Sequence, residues 1–133
     1  MKSNLRCIIL FVEDVDKLKT FYINDLNLEL KEEISSEWVL LKAGQCDLGL
    51  RKTGSEYADK IDRCLQKESN TKIVFDIDTD IYFLREQLTG KNVSLREIKT
   101  WDGFDYIICD GEDPEGNVFQ LRQRKNNYIF ILT

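Results

Sequence analysis

The feature that most constrains the fold is an order of predicted elements that occurs twice along the chain. Residues 5–12 form an apolar run rich in β-branched side chains, and the residues after it have apolar side chains at helical spacing, with Asp14 as the helix N-cap. Strand-like segments follow over 28–34, 37–43 and 46–52. The first part of the chain therefore predicts the order β-α-β-β-β.

The second part of the chain repeats this order. The predicted elements are a strand over 71–78, a helix over 79–90, and strands over 93–99, 104–109 and 117–124. Gly90 is predicted to end the helix as its C-cap. Laying Cys7 on Lys72 aligns "CIILFV" with "KIVFDI", in pattern rather than in identity. The sequence therefore predicts an internal duplication.

Each of the two modules is too small to be comfortably stable alone, so we expect them to form one domain. The predicted fold class is α+β, with two β-α-β-β-β modules that curl into a cup-shaped open barrel and carry their helices outside. The predicted single domain spans 1–133, with module one over 5–52, a connecting helix over 54–70, module two over 71–124 and an apolar tail over 125–133. The tail is expected to pack on the domain or on a second subunit.

The composition removes several classes of function. The chain has no histidine, which excludes Ser-His-Asp and Cys-His catalytic arrangements and the commonest metal ligand. The net charge is -5 and no basic stripe is present, so nucleic acid is not an expected partner. The sequence has no apolar run long enough for a membrane span and no convincing signal peptide.

The cysteines indicate a reducing compartment. The four of them are widely separated and form no CxxC pair. Three of them, Cys7, Cys46 and Cys109, fall in apolar strand-like segments, where a reduced cysteine behaves as a small hydrophobic residue. We therefore predict a cytoplasmic protein.

Two motifs carry a family resemblance. "VEDVDKLKTFYINDLNLEL" (12–30) and "EDPEGNVFQL" (112–121) resemble the opening helix and the final hairpin of the vicinal oxygen chelate superfamily, which includes glyoxalase I, extradiol dioxygenases and the fosfomycin- and bleomycin-resistance proteins. In the hairpin, Pro114 suits a type I turn and Gly116 supplies a left-handed residue. The turn itself is interpreted as structural rather than as a site.

The resemblance implies a divalent metal held by His or Glu side chains, but the matching positions read differently here. They fall on Cys7, Lys72 and Gln120, with a further position near Gly49 that offers no carboxylate. An ammonium repels a dication and an amide is a weak ligand. We therefore predict no metal and no other cofactor.

Strand parity and aromatic content select eight candidate ligand-binding residues, with no catalytic residue assigned. They are Cys7, Trp38, Lys72, Asp76, Trp101, Tyr106, Gln120 and Arg122. Alternative interpretations remain for several of them. Lys72 and Asp76 could simply neutralise each other, the aromatic residues could serve core packing or a dimer contact, and Cys7 could be a thiolate favoured by Lys72 or an inert buried thiol.

Three functions are consistent with this sequence. The preferred hypothesis is a metal-free protein of the glyoxalase/bleomycin-resistance type that holds a small organic molecule in its cup. The alternatives are a divergent glyoxalase-family enzyme, a lyase or transferase that acts without the usual metal site, and a non-catalytic dimerisation module. Resemblance to the superfamily also implies a homodimer.

Overall fold

A computed structural model describes residues 1–54 and 71–125 of the chain. The predicted connecting helix (54–70) from residue 55 onward and the predicted tail (125–133) from residue 126 onward lie outside the described residues. The structure divides into two compact units, one ending at Arg63 and the other beginning at Cys64. The helices among the described residues are all too short or too polar to cross a membrane.

The first unit holds a four-stranded sheet with one helix. Its elements are β1 (Cys7–Val12), α1 (Val15–Asn24), β2 (Glu29–Ile34), β3 (Trp38–Lys42) and β4 (Asp47–Lys52). The strand order is β1-β4-β3-β2, with β1 and β4 parallel and the other neighbours antiparallel. Asp14 is the N-cap of α1, as predicted, and its carboxylate accepts a hydrogen bond from the backbone N–H of Lys17 at 3.0 Å.

The second unit repeats this topology. Its elements are β5 (Ile73–Asp76), α2 (Ile81–Gly90), β6 (Ser94–Leu95), β7 (Tyr106–Glu112) and β8 (Val118–Arg124). The strand order is β5-β8-β7-β6, with the β5/β8 pair parallel. The predicted fold class, α+β with two β-α-β-β-β modules, is confirmed.

The boundaries differ from the prediction in the second unit. Gly90 is the last helical residue rather than the C-cap, which is Lys91, because Asn92 with a φ of 65° takes the left-handed conformation that ends the helix. Only Ser94 and Leu95 of the predicted strand 93–99 form a strand, apart from an isolated bridge at Lys99.

Each sheet has one face packed on its helix and one face turned away from it, here called the open face. In the first unit the buried side chains of β3 and β4 pack on α1, beside its fully buried Leu18 and Tyr22. The alternate residues of β1, Cys7, Ile9 and Phe11, lie on the open face, as strand parity predicts. The residues that could meet a ligand are therefore those of the open faces.

The turn between β7 and β8 is built by its own side chains. Asp113 is buried and accepts hydrogen bonds at 2.9 Å from the backbone N–H groups of Glu115 and Asn117. Gly116 has a φ of 85°, which confirms the predicted left-handed position. These contacts account for the motif in structural terms.

A buried glutamine fixes the start of α2. Gln123 is fully buried on β8, and its Oε1 accepts a hydrogen bond of 2.9 Å from the backbone N–H of Ile81, a donor that the helix itself cannot satisfy. This contact joins the helix to the sheet at the first turn.

We expect Gln123→Leu to lower the free energy of unfolding by about 1 kcal/mol, because the Ile81 N–H would lose its acceptor while removal of the buried, unpartnered Nε2 offsets part of that loss. The measurement is urea denaturation followed by circular dichroism. Gln87→Leu, on the exposed side of α2, is the matched control and should change stability by less than about 0.5 kcal/mol. Equal effects of the two substitutions would show that the hydrogen bond does not anchor the helix.

Candidate functional site

The open face of the second sheet is polar and is crossed by an ion pair. The ammonium of Lys72 lies 2.7 Å from Oδ2 of Asp110, and the Nε2 of Gln120 donates to Oδ1 of the same carboxylate at 2.9 Å. Asp110 and Gln120 are direct neighbours across the β7/β8 pair. Two of the predicted site residues therefore meet at a carboxylate that the prediction did not include.

A second pair lies further along the same face. Arg122 binds Asp76 through two hydrogen bonds, 2.7 Å from Nε to Oδ1 and 3.2 Å from the second nitrogen to Oδ2. The guanidinium also lies 4.0 Å from the centroid of the Tyr106 ring, in a cation–π contact. Arg124 donates a hydrogen bond to the Tyr106 hydroxyl at 2.9 Å. Lys72 and Asp76 therefore do not neutralise each other, and this alternative of the sequence analysis is wrong.

These contacts shift the acidity of both carboxyl groups. Burial by itself would raise the pKa of Asp110, but hydrogen bonds from Lys72 and Gln120, together with the positive charges of Lys72 and Arg96, outweigh it and lower that pKa below its ordinary value. The hydrogen bond from Arg122 is the main reason why the pKa of Asp76 is lowered as well. Both carboxylates are thus held in their charged form.

Trp101 is attached to this face through an aromatic chain. Its ring stacks on Phe104 with centroids 4.5 Å apart, and Phe104 meets Tyr106 edge to face at 5.7 Å. Trp101 is nevertheless 54% exposed, so one side of the indole faces solvent. The structure thus brings five predicted residues of the second unit, Lys72, Asp76, Tyr106, Gln120 and Arg122, to one face, with Trp101 at the end of the aromatic chain.

The open face of the first sheet carries an apolar hollow of about 350 Å³. It is lined by Ile9, Ile34, Glu37, Trp38 and Arg51. The indole N–H of Trp38 donates to Glu32 at 3.1 Å, which fixes the orientation of the ring. A volume of this size lies within the range of small-molecule sites.

Gly49 makes room for the tryptophan ring. A Cβ atom at this position would lie 2.6 Å from Cη2 and 2.9 Å from Cζ3 of Trp38, and 3.2 Å from Cγ1 of Ile9. The strand therefore accepts glycine here despite its conformational cost, because the ring packs directly on the backbone.

Cys7 lies on the same open face but does not line the hollow. Burial is the main reason that the pKa of its thiol is raised, and the negative charges of Asp47 and Cys46 raise it further, against the lowering effect of a backbone hydrogen bond from Gly49 and the positive charge of Lys31. Lys31 is itself bound to Asp47 at 2.7 Å. A raised pKa keeps the thiol protonated, which favours the interpretation of Cys7 as an inert residue.

Three residues of these faces were missed by sequence reasoning. Asp110 was left outside because the predicted strand stopped at residue 109, although continuing the alternation of Tyr106 and Ile108 would have placed it on the polar face. Arg51 follows the same parity on β4, and Gly49 was noted only for the carboxylate that it lacks. Pairing across strands, which gives these residues their roles, was not visible in the sequence.

Comparison with known proteins identifies the fold of the chain, but no sequence comparison assigns it to a family. The chain matches neither a protein-family model nor a curated protein sequence. Solved structures match over nearly the whole chain. A lactoylglutathione lyase from Agrobacterium tumefaciens has a TM-score of 0.68 at 16% identity, covering 95% of this chain and 97% of that one.

Two further structures agree with this match. A mutant of the fosfomycin resistance protein FosX from Listeria monocytogenes, complexed with Mn(II) and 1S,2S-dihydroxypropylphosphonic acid, has a TM-score of 0.74 at 18% identity, with 100% of both chains covered. An integron cassette protein from the mobile metagenome of a Halifax Harbour sewage outfall has a TM-score of 0.70 at 17% identity, covering 92% of this chain and 99% of that one. The chain has the vicinal oxygen chelate fold.

The metal that this fold holds in some proteins does not fit the residues present here. Two of the positions that the resemblance selects are Lys72 and Gln120. The Lys72 ammonium is paired with Asp110, and the Gln120 amide N–H donates a hydrogen bond to the same carboxylate. Gly49 offers no ligand, and the pKa of Cys7 is raised. Residues 1–54 and 71–125 contain no cluster of three or more Cys, Asp or Glu side chains that could hold a metal ion.

The lowered pKa values predict a loss of stability in acid. Because Asp76 and Asp110 have lower pKa values in the folded state than in the unfolded one, their contribution is complete above the unfolded pKa of about 4 and is lost as the pH falls through the lowered folded values. We expect Asp110→Asn to destabilise the protein by about 1 kcal/mol at neutral pH, the pair being partly exposed, and to reduce the loss between about pH 5 and 2.

The measurement is the urea midpoint as a function of pH. Asp102→Asn, which removes an exposed carboxylate in the turn after Trp101, is the control. An acid-induced loss that is as steep in Asp110→Asn as in the parent chain would show that the Lys72 pair contributes nothing to folding.

Proposed function

We propose that this protein binds a small organic molecule without a metal ion, as a binding protein of the glyoxalase/bleomycin-resistance type. The observation that carries the proposal is the hollow of about 350 Å³ on the open face of the first sheet, walled by Ile9, Ile34 and the Trp38 ring. A mostly apolar hollow with a few polar groups at its edge is the usual form of a small-molecule site. Trp38 is the member of the predicted ligand-binding set that lies in it.

The open face of the second sheet supports the metal-free part of the proposal. Its Lys72 and Arg122 are each tied to a carboxylate, and Arg124 on the same face is hydrogen-bonded to the Tyr106 hydroxyl. We propose that Lys72, Asp76, Gln120 and Arg122 offer hydrogen bonds to a ligand rather than free charge. Contacts of Cys7, Trp101 and Tyr106 with a ligand remain predictions.

Assembly and location belong to the same proposal. We propose a homodimer, as the resemblance of the motifs over 12–30 and 112–121 to the superfamily implies. We also propose a cytoplasmic location. Cys7, Cys46 and Cys109 are all free thiols, as expected in a reducing compartment.

Metal analysis of the purified protein, followed by calorimetric titration with zinc, nickel and manganese, tests the metal-free part. We expect no stoichiometric metal and no binding at micromolar concentrations, because the Lys72 ammonium already occupies the Asp110 carboxylate. The double variant Lys72→Glu, Gln120→Glu places two more carboxylates beside Asp110 and serves as the positive control. Tight stoichiometric binding by the parent chain would refute the proposal.

A fragment screen tests the binding part. The chain has two tryptophans, so two indole N–H signals report on binding in a nitrogen-proton correlation spectrum. We expect planar organic fragments to shift the Trp38 signal and Trp38→Ala to weaken their binding by about tenfold or more, since stacking on an aromatic wall contributes about 1–3 kcal/mol.

Phe83→Ala, which removes an exposed aromatic ring from α2, is the matched control for that screen and should leave fragment binding unchanged. No bound fragment at millimolar concentration, or equal loss in the two variants, would contradict the proposed site.

A further inference from the structure

The two modules place an arginine at equivalent positions of their open faces, and the two arginines have different partners. In the parallel pair β5/β8, Arg122 lies opposite Asp76 and is bound to it by two hydrogen bonds. In the equivalent pair β1/β4, Arg51 lies opposite Phe11. The carboxylate that neutralises Arg122 therefore has an exposed aromatic ring as its counterpart in the first unit.

Arg51 is consequently a cation without an ion-pair partner among residues 1–54 and 71–125. Its side chain is exposed and lines the hollow beside Trp38, its direct neighbour across β3/β4. Glu37 also lines the hollow, but within the described part of the chain it forms no ion pair with Arg51. A free guanidinium thus stands at the edge of an apolar, aromatic-walled space.

We propose that this hollow binds a planar aromatic monocarboxylate, with Arg51 as the residue that recognises the acid group. The proposal rests on the proposed function and adds the class of its ligand. A guanidinium presents two parallel N–H donors that match a carboxylate, which is how Arg122 already holds Asp76. The ligand carboxylate would bind Arg51 as Asp76 binds Arg122, but from the hollow on the Trp38 side, since Phe11 lies opposite Arg51 on β1.

The walls of the hollow define the rest of the ligand. The flat face of Trp38 suits an aromatic ring, and Ile9 and Ile34 add apolar contact. Glu37 places a negative charge in the same hollow, which disfavours a second acidic group on the ligand. A monoanion paired with Arg51 and turned away from Glu37 is therefore preferred over a dianion.

Naphthoate and its neutral counterpart naphthylmethanol test this assignment, with calorimetry for affinity and the Trp38 indole signal for location. We expect naphthoate to bind about ten- to a hundredfold more tightly than naphthylmethanol, because a hydrogen bond to a charged group is worth more than a neutral one. Arg51→Met should remove this preference while leaving naphthylmethanol binding nearly unchanged. Naphthalene dicarboxylate should bind more weakly than naphthoate.

Lys52→Met is the matched control, since it removes one positive charge from the next position of the same strand, and it should keep the preference for the acid. Equal losses in Arg51→Met and Lys52→Met, or no naphthoate binding at millimolar concentration, would overturn the assignment. So would a Trp38 signal that shifts with protein concentration and not with naphthoate, which would mean that a second copy covers the face. The proposal that the hollow binds a small organic molecule would still stand if other fragments shift the Trp38 signal and the Trp38→Ala substitution weakens their binding.

Discussion

The ion pair between Lys72 and Asp110 determines which charged groups on the open face of the second sheet are already bound. A partly buried carboxylate needs positive charge or hydrogen-bond donors nearby, since burial disfavours its charged form. Lys72 supplies the charge at 2.7 Å and Gln120 supplies a donor at 2.9 Å. Lys72 and Gln120 thus stabilise the Asp110 carboxylate in the way that a dication otherwise could. The fold is therefore compatible with Lys72 and Gln120 at positions where the resemblance implies metal ligands.

The two modules share one topology but distribute charge differently over it. The second module pairs Lys72 and Arg122 with carboxylates, and partly exposed pairs of this kind add about 0–1 kcal/mol each to stability. The first module sets Phe11 opposite Arg51, whose guanidinium has no ion-pair partner within residues 1–54 and 71–125 and lies beside an apolar wall. With two modules of the same topology, one open face can keep its ion pairs while the other changes its charged residues. The proposed ligand site therefore lies in the first module.

The topology could be predicted from the sequence, whereas the partners on the open faces could not. Apolar periodicity and capping residues such as Asp14 act locally, so the repeated β-α-β-β-β order is visible in one chain. Pairing depends on register between distant strands. Lys72 and Asp76 lie about 13 Å apart along one extended segment, too far for an ion pair. Asp76 binds Arg122 on the adjacent strand β8, and Lys72 reaches past β8 to Asp110 on β7. Parity gives the face of a residue, but only register gives its partner.

Gly49 is a position where the resemblance implies a metal ligand in some proteins, and it lies beside the hollow of the first sheet. By resemblance this position is one where proteins of the fold can place a metal ligand, and β4 pairs with β1 in the first sheet as β8, which carries Gln120, pairs with β5 in the second. Without a side chain here the Trp38 ring packs on the backbone, where a Cβ atom would come within 2.6 Å of it. A carboxylate at Gly49 would therefore displace the ring that walls the hollow. A side chain at this position is therefore sterically incompatible with the present placement of the Trp38 ring.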